Sequence, residues 1–401
     1  MKILQISAQV PVPRTDGGKI GVYGITKGLF DRGHQIDFVC YRKDSNYEYS
    51  IKELKKICNP YILDIQTDNN IFGAFINLFS NVPYNSSKYI KKELTNFLNN
   101  FLPDKNYDVV HVTHLHMGWV IDVIKKYLNV PVILREENLE TMIMKRFSEH
   151  QKNWLIKKYS NLQYRKLIKY EPFICKKFDR CVMVTKFDEK RLLDFDNSIK
   201  TTHIPSGIES SLLLKNKNKI EPFSIVHIGH LDWYPNYDSL KWFLDEIMPN
   251  IVSKIPQVKL YIYGGGEPKG FRISEELSSN VILKGFVNDI WEELSTKALA
   301  VVPLRIGSGI RIKILEMLAA GQNIITTTVG KEGIDAVDGK DLLIADSSDE
   351  FSNKIINFFS NEYNNLEMMN NGRKLIKENY TWEKISEKFE NLYLNLIDEK
   401  L

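Results

Sequence analysis

Short β-rich runs recur along the whole chain, each followed by a longer stretch of helical pattern. "KILQIS", "QIDFVCY", "YDVVHVT", "VPVILRE" and "DRCVMVT" are nearly unbroken apolar runs. Such runs mark parallel strands whose two sheet faces are both covered by helices. The pattern restarts at "FSIVHIG" and continues through "VKLYIYGG", "VILKGF", "LAVVPLR", "NIITTT" and "DLLIAD". Two doubly wound α/β units in succession are therefore expected. A length of 401 residues agrees, because it exceeds what one hydrophobic core usually serves. The stretch "HIPSGIESSLLLKNKNKIEPF", residues 203–223, has the Pro, Gly, Ser and Lys/Asn content of a connector. Near the end, Trp382, Ile385, Phe389, Leu392 and Leu396 recur at helical spacing and predict a long terminal helix.

Composition excludes several classes. Lys plus Arg number 54 against 50 Asp plus Glu, a net charge of +4, too mild a balance to imply nucleic-acid binding. Cys40, Cys58, Cys175 and Cys181 form no CxxC pair, which argues against a zinc site and against a disulfide framework. The apolar run of "MKILQISAQV" stops at Pro11, too soon for a signal peptide. No window offers an uninterrupted apolar stretch of spanning length, so a cytoplasmic protein is expected. Residues 141–180 are rich in Lys and Arg and helical in pattern. They read either as a solvated helix face or as a surface attracted to anionic lipid headgroups, which would bring the protein to the inner face of the membrane as a peripheral partner.

The chemistry concentrates in "PLRIGSGIRIKILEMLAAGQNIITTT", residues 303–328. It reads as a strand end, a turn carrying Gly307, Ser308 and Gly309, and an apolar helix that nevertheless opens with Arg311 and Lys313. A glycine-bearing turn lets backbone amides approach an anion, and the helix N-terminus adds partial positive charge. The forked donors of Arg311 and the point charge of Lys313 suit a diphosphate. Glu316, a turn deeper, is placed to accept hydrogen bonds from a ribose diol. The plainer account is a surface pair between Lys313 and Glu316 beside an ordinary turn.

Six landmarks in order resemble the retaining family-4 glycosyltransferases. They are "PVPRTDGGKIGVYGITKGLFDRGHQIDFV", "HIPSGIE", "HIGHLDWYPNYDSLKWFLDEIMP", "YIYGGGEP", "LKGFVNDI" and the stretch from 303. The resemblance implies the GT-B fold, α/β with two facing Rossmann-like doubly wound domains and a cleft between them. It places an acceptor-side domain at 1–205, a nucleotide-sugar domain at 206–379, and a terminal helix at 380–401 returning to the first domain. It implies a nucleotide-diphosphate sugar as donor, with Arg311 and Lys313 on the diphosphate, Glu316 on the ribose, and backbone around Phe286 and Val287 against the base. The family often has two glutamates eight residues apart, the first touching the donor sugar. Here that position is Ser308, and His230 stands at the usual arginine position after the domain's first strand. Arg311 and Lys313 are read as replacing the missing charge.

In the first half, "PRTDGGKIG" follows the first strand without matching a Walker P-loop or a dinucleotide GxGxxG. The resemblance sets Gly17 and Gly18 against the donor phosphate and sugar; a helix-capping turn is the alternative. "HVTHLHMGW" ends a strand with His111, His114 and His116. The family often carries a histidine here beside the reacting sugar, and His114 is the favoured candidate with His116 close behind. A neutral imidazole can donate a hydrogen bond to a sugar hydroxyl as charge develops. "LREENLET" is unusually charged for a strand exit. Glu137 and Asn138 are assigned to acceptor binding, with a helix cap at Asn138 as the alternative.

The implied reaction is retaining and metal-independent, with no cofactor beyond the nucleotide sugar and with the two cations neutralising the departing diphosphate. The acceptor is a hydroxyl of a glycan or lipid-linked saccharide, in cell-surface glycan or polysaccharide biosynthesis. Rival readings are a GT-B epimerase or phosphorylase, or a catalytically silent sugar- or membrane-binding subunit. A nicotinamide oxidoreductase would need a GxGxxG after a first strand, which neither half carries.

Overall fold

The computed structural model describes the chain apart from residues 15, 43–46, 152, 267–271, 308 and 401, and apart from the side chains of Tyr47 and His150. It divides into two compact units, one comprising Met1–Gly207, Ser308–Ile310 and Trp382–Leu401, the other Ile208–Gly307 and Arg311–Thr381.

The first unit is built on β1 (Lys2–Ser7), β2 (Gln35–Tyr41), β3 (Asn59–Leu63), β4 (Val109–Thr113), β5 (Val132–Glu136), β6 (Arg180–Met183) and β7 (Thr201–His203). They form one parallel seven-stranded sheet in the order β3-β2-β1-β4-β5-β6-β7. The order reverses between β1 and β4, and in such sheets a ligand crevice opens beyond the strand C-termini at that point. Burial explains the sequence pattern: every residue of β4 and β5 is buried, so neither strand alternates. β3 and β7 are additions to the expected set. "NPYIL" and "TTH" sit at the two sheet edges, where partial exposure removes the apolar signal that identified the others.

The terminal helix, Trp382–Asp398, packs within this unit. Its Trp382, Ile385, Phe389, Tyr393 and Leu396 join the core of Ile3, Val22, Ile25 and Phe38. Each such burial contributes roughly 1.5–3 kcal/mol. The Gly17–Asp31 helix makes room for it with two glycines on one face. A Cβ on Gly24 would lie 2.0 Å from the Trp382 ring, and one on Gly28 would lie as close to Ser386 Oγ. The basic region 141–180 resolves into two helices, Glu140–His150 and Trp154–Cys175. The second starts where Asn153 accepts hydrogen bonds from the amides of Leu155 and Ile156.

The second unit carries β8 (Glu221–Ile228), β9 (Lys259–Tyr263), β10 (Val281–Gly285), β11 (Lys297–Val302), β12 (Asn323–Thr326) and β13 (Leu343–Ile344). This sheet is also parallel, in the order β10-β9-β8-β11-β12-β13. Its order reverses between β8 and β11. The apolar run "DLLIAD" yields only two strand residues, because β13 is the edge.

Candidate active site

In the second unit, the Ile312–Ala319 helix follows β11 in sequence and its Lys313 lies beside the end of β8. Lys313 Nζ donates to the Ile228 carbonyl at 2.9 Å and to Asn236 Oδ1 at 3.2 Å. The ammonium is thus fixed at the switch point, and these partners replace the surface pair with Glu316 as the account of its position. Asn236 in turn donates to the His230 carbonyl at 3.0 Å, so one side chain holds both the cation and the loop after β8. Burial, and then the charge of Arg311, push the Lys313 pKa down to about 7.

The Arg311 guanidinium lies against Gly307: a Cβ there would stand 2.1 Å from a terminal guanidinium nitrogen. A side chain at 307 would therefore displace the guanidinium from this position. Gly309 has φ of 76°, the left-handed region that glycine enters at little cost. Ser308 lies outside the described residues. Glu316 is half-buried on the next helical turn. Phe286 and Val287 follow β10, two strands away from β8, and Phe286 is 81% exposed.

Sequence reading missed His227. It lies wholly buried on the central strand β8, and neither ring nitrogen has a hydrogen-bond partner among the described residues. Burial, with the Lys313 charge second, drives its pKa down to about 3, so it is neutral. A single histidine inside an apolar run gave no sign of this.

In the first unit, the loops after β1 and β4 meet at the switch point. Asp16 caps the Gly17–Asp31 helix by accepting from the Lys19 amide at 3.0 Å, so the capping turn is real. Gly17 opens that helix. Its neighbour Gly18 faces His114: a Cβ would sit 3.4 Å from His114 Nε2 and 3.4 Å from Asp16 Oδ1. β4 stops at Thr113, and His114 takes a φ of 69°, which turns it out of the strand. Its amide donates to the Arg135 carbonyl at 2.8 Å. Burial lowers the His114 pKa, against an opposing pull from Glu137.

The three histidines separate into distinct environments. His111 shares a 2.6 Å hydrogen bond with Tyr393 Oη and stacks on Phe389 at 5.3 Å; it anchors the terminal helix. His116 stacks on Tyr89 at 5.1 Å and lies 3.9 Å from Glu140. Burial, with Lys88 second, lowers its pKa to about 4, while burial raises that of Glu140 to about 7. At neutral pH the pair is not an ion pair but a neutral ring beside a carboxyl near its titration point.

Glu137 is bound to Arg135 at 2.7 Å. The buried guanidinium also donates to Ser206 Oγ at 3.0 Å. A Cβ on Gly21 would lie 2.9 Å from a Glu137 oxygen, so this carboxylate is closely enclosed. Asn138 does not begin the next helix. Leu139 stands at that position, and the helix's first amides, Glu140 and Thr141, donate to the Glu171 carboxylate at 2.8 and 2.9 Å. The cap comes from a distant side chain because Glu171 is buried and needs donors.

Comparison with known proteins agrees with this architecture. The family model described as Glycosyltransferase Family 4 matches residues 15–212, and that described as Glycosyl transferases group 1 matches residues 222–361. The chain belongs to the group 1, family 4 glycosyltransferases, of GT-B fold. It is 25% identical to an uncharacterized 44.6 kDa protein in the cps region of Klebsiella pneumoniae, over 96% of this chain and 97% of that one. Sucrose-phosphate synthase from Thermosynechococcus elongatus superposes with a TM-score of 0.72 at 16% identity, covering 100% of both chains. Anabaena Alr3699/HepE, solved with UDP, gives a TM-score of 0.69 at 12% identity, covering 99% of this chain and 100% of that one.

Proposed function

We propose that this glycosyltransferase moves a sugar from a nucleotide-diphosphate donor to a hydroxyl acceptor, retaining anomeric configuration and without a metal ion. The carrying observation is the cation pair at 311 and 313. Lys313 is fixed at the β8–β11 switch point by Ile228 and Asn236, beside an Arg311 whose approach Gly307 permits. In the proposal these charges and the amides after Gly307 neutralise the departing diphosphate, the work a divalent cation does elsewhere. Glu316 accepts from the ribose, and Phe286 and Val287 meet the base.

On the first unit, the proposal assigns Gly17 and Gly18 to the donor's phosphate and sugar, with His114 donating from a neutral ring to a sugar hydroxyl. His116 is the second candidate for that role. Glu137 and Asn138 take the acceptor; for Glu137 this competes with its tie to Arg135. A UDP donor is favoured by the UDP bound to Alr3699/HepE. A glycan or lipid-linked acceptor, in cell-surface polysaccharide synthesis, is favoured by the cps-region relative. The reading includes work at the inner membrane face through 141–180. No described helix is long and apolar enough to cross a membrane.

The test is a donor-hydrolysis and transfer assay with UDP-, GDP- and ADP-sugars, run with chelator. Release of nucleotide diphosphate by wild-type protein, abolished by Arg311→Ala, supports the proposal. No release from any donor, or release that requires added manganese, would contradict it.

A further inference from the structure

The Ile71–Ile76 helix and the turn Asn77–Phe79 present apolar side chains outward. Ile71 is 91% exposed, Phe72 70%, Phe75 60% and Phe79 86%. A free hydrophobic turn would fold inward; this one is held out. Asn70 caps it through the Phe72 amide at 2.8 Å. Asn77 is buried beneath it, donating to the Val82 carbonyl at 2.8 Å and accepting from Gln163 at 3.1 Å and Lys166 at 3.2 Å. Gln163 and Lys166 belong to the Trp154–Cys175 helix, so the apolar turn is fixed to the basic helix.

The first turn of that helix adds Trp154, 69% exposed, and Leu155. Two open grooves of ≈ 630 and ≈ 790 Å³ run between the elements, and both are lined by Leu78 and Arg165. Lys169 borders the first, and Lys157 and Lys158 the second. Residues 71–92 and 153–170 contain not one Asp or Glu, yet carry Lys88, Lys91, Lys92, Lys157, Lys158, Arg165, Lys166 and Lys169. In a chain whose charges nearly balance, this local exclusion of acid has a sign. A second copy of the same face would meet it cation against cation, so self-association is disfavoured. Phe, Ile and Trp knobs framed by Lys and Arg suit an anionic interface, where apolar groups enter the acyl boundary and cations stay at the headgroups.

We propose that this face docks on an anionic lipid bilayer, Ile71, Phe72, Phe75 and Phe79 entering the headgroup–acyl boundary while Lys157, Lys158, Arg165 and Lys169 meet lipid phosphates. The proposal deepens the peripheral-membrane part of the proposed function and moves the anchor from the basic helix to the apolar turn before it. It does not depend on glycosyl transfer.

The experiment is co-sedimentation of the full chain with phosphatidylglycerol/phosphatidylcholine vesicles and with phosphatidylcholine vesicles, at low and at physiological ionic strength, without nucleotide sugar. Wild-type protein is expected to bind the anionic vesicles at least tenfold more tightly. Phe72→Glu with Phe79→Glu should abolish binding at both ionic strengths. Arg165→Glu with Lys169→Glu should remove the preference for anionic vesicles. Melting curves check each fold, and Phe72→Ser with Phe79→Ser, expected to lose at least tenfold, replaces the first pair if it melts early. Absence of wild-type binding, or variants that bind like wild type, would overturn the proposal. So would a wild-type dimer, seen by sedimentation velocity, that the apolar variant dissolves. None of these failures touches the donor-hydrolysis result.

Discussion

Lys313 reaches back from its helix to the carbonyl of Ile228, the last residue of β8, at 2.9 Å. The contact ties the helix that follows β11 to the end of β8, and the second sheet reverses its order between those two strands. A charge held there by backbone and by Asn236 needs no rearrangement to receive an anion, which is the condition for strong electrostatic stabilisation.

Arg311→Ala is expected to weaken nucleoside-diphosphate binding by about 1.5–3 kcal/mol, the usual loss for a charge-assisted hydrogen bond. Calorimetric titration measures it. Gly307→Ala should weaken binding in the same direction, because a Cβ there displaces the guanidinium.

His114→Ala should cut turnover by about 100-fold or more, in the range for losing a single transition-state hydrogen-bond donor, while leaving nucleotide affinity nearly unchanged. Transfer kinetics alongside calorimetry separate the two effects. Unaltered turnover would move the role to His116. Burial lowers the pKa of both rings, that of His116 to about 4, so activity should not fall as pH drops from 7 to about 6 through protonation of His116.

The interior of the first unit contains two carboxyls in one buried cluster. Glu136 Oε1 accepts from Cys175 Sγ at 3.1 Å. Burial, with Cys175 and Glu171 adding to it, raises the Glu136 pKa well above 4.5, and burial raises that of Glu171 to about 7. Both shifts are upward, so the folded state holds more protons than the unfolded one between about pH 4.5 and 7. These two groups contribute stability that is lost as pH rises through that window, while His111, His116 and His227, whose pKa values burial lowers, act in the opposite sense below about pH 6.5. Glu136→Gln should remove its share of the carboxyl loss and melt higher than wild type at pH 8. Glu171→Gln should lose about 1.5–3 kcal/mol, because the two backbone amides donate to different carboxylate oxygens and the glutamine NH2, itself a donor, would replace one of them. Melting temperatures from pH 5 to 8 check both.

Gly24→Ala should destabilise the first unit by about 1–3 kcal/mol, the usual cost of overpacking, even though alanine is the better helix former. A Cβ only 2.0 Å from Trp382 outweighs that propensity. A denaturant midpoint equal to wild type would contradict the packing of the terminal helix.

The central strands were legible because burial on both faces wrote itself as continuous apolar sequence; β3 and β7 were not, being half-covered edges. Gly307, Arg311 and Lys313 could be read as a group because they are local in the chain. What pairs with them could not. Asn236, His227 and Ile228 reach Lys313 only through the fold. The same holds for Gly18 against His114, and for Glu171 capping the helix at Glu140. His111 resembled its two neighbours in sequence, yet strand direction turned it toward Tyr393.

The most direct test uses the Lys313 pKa of about 7. A bound diphosphate raises it again, so binding above pH 7 must take up a proton. UDP titrated at pH 8 in two buffers of different ionisation enthalpy measures that uptake. The account predicts close to one proton taken up per site by wild-type protein and none by Lys313→Ala, with weaker binding in the variant. Equal affinity in the two proteins, with no buffer dependence in either, would contradict it.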